Sequence, residues 1–113
     1  MRKVLIAALL LAAAPAAAHH GWGSYDSTKV LTLDGVIRAM TYENPHGELQ
    51  FEAAGKLWRV VLSPPFRMQN RGLPATKLAP GTRAVVVGYA HRSDPMEMRA
   101  ERITIDGATT ELR

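Results

Sequence analysis

From Val30 onward, apolar residues recur at every second position in short runs, and Gly or Pro interrupts each run. A period of two puts one side of an extended chain inside and the other in water, which restricts this chain to short strands. Glu48–Ala53 alternates most cleanly: Leu49, Phe51 and Ala53 point one way, and Glu48, Gln50 and Glu52 the other. Ala54-Gly55-Lys56 turns the chain into Leu57–Leu62, whose inward set is Trp58, Val60 and Leu62. The first run, Val30–Tyr42, is long and contains Asp34-Gly35, which predicts a bulge or coil at Gly35. Two further strands are predicted, Thr82–His91 after the Pro80-Gly81 turn and Met96–Ile105 after Ser93-Asp94-Pro95, and Asp106-Gly107 ends the last.

One segment breaks this pattern. Ser63-Pro64-Pro65 stops the third strand and opens a short helix, with Ser63 as N-cap, Pro64 at the first helical position, Phe66–Arg71 as the body and Gly72 as the stop. A helix between strands three and four of five is the layout of an OB-like Greek-key barrel. The predicted fold is therefore all-β with one short helix, a five-stranded OB-like barrel over residues 30–113, with a small β-sandwich as the alternative.

The first eighteen residues read differently. Arg2 and Lys3 precede the apolar run Val4–Ala14, and Pro15 precedes Ala16-Ala17-Ala18. A basic start, a short apolar stretch and small residues at the cleavage positions are the marks of a signal peptide, expected here over residues 1–18. The apolar run is far short of the ~20 residues of a spanning helix, so no membrane anchor is expected after processing. The expected location is the periplasm, with a mature chain that begins at His19 and a flexible segment over residues 19–29.

Composition then narrows the functions. The chain has 14 Lys and Arg against 10 Asp and Glu; losing Arg2 and Lys3 leaves twelve against ten, a formal charge of +2. The remaining charges are interspersed, and no basic stripe suggests nucleic-acid binding. There is no Cys, which excludes disulfides, thiolate chemistry and cysteine-ligated zinc.

Four motifs carry a resemblance. His19-His20-Gly21-Trp22, Asn44-Pro45-His46, Pro64-Pro65-Phe66-Arg67-Met68 with Arg71-Gly72, and Gly88-Tyr89-Ala90-His91-Arg92 together resemble a family of small exported proteobacterial proteins of unknown function. The resemblance implies an exported single domain and no activity. The strand order is also similar to that of periplasmic OB-fold proteins, a likeness of architecture alone.

The remaining chemistry lies with histidine. Ser24, Ser27, Ser63 and Ser93 lack a nucleophile-elbow setting, Glu97 and Glu101 read as a solvated sheet face, and Arg67 and Arg71 as surface charges on the helix. Trp22 and Trp58 read as core or lid residues. His19, His20, His46 and His91 all fall at chain ends or in loops, and in an OB-like barrel the loops holding His46 and His91 flank one face. An α-amine and imidazoles suit copper(II), with zinc as the alternative, and the thioethers of Met96 and Met98 would suit copper(I). The expected site is built from His19 or His20, His46 and His91. The chain thus reads as a binding module whose partner is a metal ion or a periplasmic protein. The competing reading is a non-metal ligand-binding or protein-interaction domain. The enzymatic alternative is a copper-dependent oxidoreductase that uses the amino terminus as ligand.

Overall fold

A computed structural model of the chain describes residues 21–113. The expected signal peptide, His19 and His20 lie outside the described residues. A 3₁₀ turn, Trp22–Ser24, leads into β1 (Tyr25–Thr41), followed by β2 (Glu48–Ala53), β3 (Lys56–Val61), the helix α1 (Pro65–Asn70), a second 3₁₀ turn (Ala75–Leu78), β4 (Arg83–His91), β5 (Glu97–Ile105) and β6 (Ala108–Glu111). β1 pairs with both β2 and β4, β5 pairs with β4, and a short parallel contact between β3 and β5 closes the ring. Five strands thus follow one another round a closed ring in the order β1-β2-β3-β5-β4, with one helix between β3 and β4 in the chain. The chain is an all-β fold with one short helix, as expected.

The core follows the period-two reading. Leu49, Phe51, Ala53, Trp58, Val60 and Leu62 are all buried, and they pack with Ile37, Met68, Val86, Met98 and Ile103. The solvent side of β3 carries Leu57, which is exposed.

Four local expectations are corrected. β1 begins at Tyr25, so residues 25–29 belong to the strand and not to a free arm. Gly35 marks no bulge: an added Cβ there would stand 2.0 Å from the Glu52 carbonyl oxygen. Glycine lets β1 and β2 approach closely at that point. The register breaks fall instead between Ile37 and Ala39 against β2, and between Asp26 and Val30 against β4. Pro64, not Ser63, is the N-cap of α1, and the buried Ser63 hydroxyl donates to the Leu112 carbonyl. Finally, a sixth strand exists. Asp106 and Gly107 have φ of 49° and 76°, the left-handed pair of a tight hairpin turn, and they fold β6 back onto β5.

Candidate functional site

Four strands and one loop bring polar side chains together in one pocket. In the parallel β3–β5 contact Arg59 is the register partner of Glu97, and in β1–β4 Tyr25 is the register partner of His91. His46 sits in the β1–β2 loop, after the cis Asn44–Pro45 peptide and two residues before Glu48. Tyr25, His46, Arg59, His91, Glu97 and Ser24 line one pocket of about 160 Å³. The two loop histidines expected to share a face do line the same pocket.

Glu97 is its centre. The Tyr25 hydroxyl donates to Glu97 Oε2 at 2.7 Å, Arg59 Nη1 lies 3.2 Å from Oε1, and His91 Nε2 lies 3.6 Å from Oε2. Arg59 also donates from Nε and Nη2 to the two oxygens of Glu48, at 3.1 and 2.7 Å. Glu48 Oε1 in turn lies 3.7 Å from His46 Nδ1. Arg59 thus bridges the two carboxylates, and the Arg99 guanidinium carbon lies 6.0 Å from the Tyr25 ring centroid, so carboxylates and guanidiniums balance in formal charge around the pocket.

The imidazoles are held differently. His91 Nδ1 accepts the backbone N–H of Asp94 at 2.9 Å and of Ser93 at 3.1 Å. The neutral ring therefore carries its proton on Nε2, towards Glu97. His46 instead turns its buried Nδ1 towards Glu48, 3.7 Å from the carboxylate oxygen Oε1.

The expectation that Glu97 lies on a solvated face is corrected: it is 9% exposed, and Arg99 is 6% exposed. Met98 and Ala100 point into the core, and the opposite side of β5 is covered by the chain that precedes and opens β1. Tyr25 lies over Glu97, and the Trp22 ring lies 4.4 Å from the Arg99 guanidinium carbon. The methionines do not join the pocket. Met98 is fully buried in the core, and Met96 lines a separate open groove with Met40, Leu57, Trp58 and Arg59, of about 370 Å³. Among the described residues no group of three or more His, Cys, Asp or Glu is arranged to hold a metal ion.

The model of a family of unknown function, DUF6152, matches residues 7–99. The chain belongs to the DUF6152 family. No curated protein and no solved structure matches it.

The tyrosines provide one check on this geometry. The Tyr25 phenol is pushed far above its ordinary value by burial and by its bond to Glu97; Tyr42 is raised by burial, and Tyr89 by its bond to Glu101. A raised folded-state pKa means that the unfolded chain loses protons first, from about pH 10. The stabilisation is thus complete below that pH and is lost as pH rises through and beyond it. An ultraviolet titration is expected to show tyrosinate appearing above pH ~10 and together with loss of the fold. Three phenols ionising near their ordinary value in folded protein would contradict the arrangement.

Proposed function

We propose that this DUF6152 protein is an exported binding module for a late divalent metal ion, copper(II) before zinc. In this reading the ion is held at the polar pocket by His46 together with His19 or His20. The observation that carries it is the convergence of His46, His91 and Glu97 on one small polar pocket, with a Glu48 carboxylate oxygen 3.7 Å from His46 Nδ1. At about 160 Å³ the pocket is well below the ~300–1,000 Å³ of sites for organic ligands, and it suits an ion. The buried Nδ1 of His46 is the nitrogen turned towards the Glu48 carboxylate, so Nε2 is the one available as the donor. His91 has its Nδ1 committed to backbone N–H groups and serves by orienting Glu97. The further nitrogens come from the start of the processed chain. Ser24 already lines the pocket, four residues after His20, so the sequence keeps those histidines close along the chain.

Urea unfolding of protein processed to begin at His19 tests this. Copper(II) at a hundredfold excess over Kd is expected to add ~2.7 kcal/mol of stability. His46→Ala removes that gain, and His91→Ala reduces it. The gain shrinks on acidification, because imidazole must be neutral to ligate. An extension that blocks the α-amine separates the metals: a copper site built on the amine is lost, whereas an all-imidazole zinc site survives.

A second reading rests on the open groove of about 370 Å³ beside the pocket, whose exposed Leu57 and Met96 suit an apolar ligand or a protein partner. On that reading no variant shows a metal-dependent change in stability.

A further inference from the structure

The segment Gly21–Asp26 meets β5 through Tyr25 on Glu97 and Trp22 on Arg99, and it contributes Ser24 and Tyr25 to the polar pocket. Its own ladder is short. Tyr25 and Asp26 pair with His91 and Ala90, and the register then breaks until Val30. Arg92 adds two bonds: its backbone N–H donates to the Ser24 carbonyl at 2.9 Å, and its Nε to the Gly23 carbonyl at 2.9 Å. Tyr25 adds its bond to Glu97 and an edge-on contact with the His91 ring, and Trp22 carries three further contacts. The Trp22 ring has the Arg99 guanidinium carbon 4.4 Å from its centroid and that of Arg113 at 4.7 Å. The Tyr89 ring meets it edge-on at 6.0 Å. Arg113 is itself tethered, because Arg71 Nη1 donates to its carbonyl at 3.0 Å and to that of Glu111 at 2.7 Å.

We infer that Trp22 is a positioning residue that latches this strap through Arg99 and Arg113 and so sets the Tyr25–Glu97 side of the pocket. The strap brings Tyr25 to Glu97, and the groups facing that phenol are Glu97, Arg59, Arg99 and the His91 ring. A cation over an indole gains most where water is excluded, and Arg99 is buried beneath the strap. With the latch lost, the strap opens locally while the ring of strands stays closed, since its core lies on the other side of β5. Glu97 would then keep Arg59 and His91 as neighbours but lose its phenol donor.

Native-state hydrogen exchange on the full chain tests the latch. In Trp22→Leu the Arg92 amide, which bonds the Ser24 carbonyl, is expected to exchange about tenfold faster, while β4 amides around Val86 keep their rates. Trp22→Phe, which retains an aromatic face, should recover part of the protection. Arg113→Gln changes no buried side chain of the core and should shift Arg92 in the same direction by less, so a failure of Trp22→Leu to fold leaves the test standing. Unchanged Arg92 exchange in folded Trp22→Leu and in Arg113→Gln would overturn the latch whatever the pocket binds.

The consequence for the pocket rests on the metal reading above and is measured separately. Copper(II) affinity should fall at least severalfold in Trp22→Leu. Faster Arg92 exchange with unaltered copper binding would overturn the positioning role. If copper binds to no variant while Arg92 exchange still accelerates, the metal reading fails and the latch stands.

Discussion

Replacing Gly88 by alanine is expected to unfold the protein. An ideal Cβ at that position would stand 1.9 Å from the Arg99 carbonyl oxygen and 2.7 Å from the carbonyl carbon. These are backbone atoms of the neighbouring strand, so no rotamer change relieves the clash. β4 and β5 would have to separate where the register already shifts between Val87 and Gly88. The cost should exceed ~4 kcal/mol, the range reached by backbone collisions and buried defects. A small domain holds only ~5–15 kcal/mol in total. Gly23 is the control: nothing lies within 4 Å of its added Cβ, and alanine there should change the urea midpoint little. A folded Gly88→Ala with a near-normal midpoint would mean that β4 and β5 do not approach as described.

Trp58→Ala is the second large effect, expected at ~3–5 kcal/mol for a buried aromatic. The ring belongs to the core formed with Phe51 and Leu49, and Lys56 caps its face, with Nζ 3.9 Å from the ring centroid. Trp58→Phe should cost clearly less. The indole N–H is buried without a hydrogen-bond partner among the described residues, so removing it relieves a desolvated donor. Glu52→Ala, by contrast, breaks an exposed ion pair with Arg38 and should stay within ~1 kcal/mol. Equal, small effects at Trp58 and Glu52 would place Trp58 outside the core.

The inward residues of β2 and β3 were legible because strict alternation leaves one way to bury Phe51 and Trp58 together. The opening of β1 was not. Asp26 accepts the N–H and hydroxyl of Thr28, and that local turn interrupts the alternation and makes residues 25–29 look like loop. Because the strap was hidden, the burial of Glu97 and Arg99 was hidden too: both alternate correctly with Met98 and Ala100, and what covers them comes from the other end of the chain. β6 is not legible because Asp106-Gly107 reads equally as the end of a strand and as a hairpin turn, and Ala108–Glu111 is short and mostly exposed. At the site, His46 and His91 could be inferred from their places in two neighbouring loops. Arg59 could not, because its partnership with Glu97 arises from a parallel β3–β5 contact that no local pattern encodes.

The most direct measurement is copper(II) calorimetry on protein confirmed by mass to begin at His19, beside the same protein carrying His46→Ala. The account predicts one bound ion with Kd tighter than ~10 μM and loss of that binding in His46→Ala. Absence of copper or zinc binding at that strength in the processed wild-type protein would contradict it.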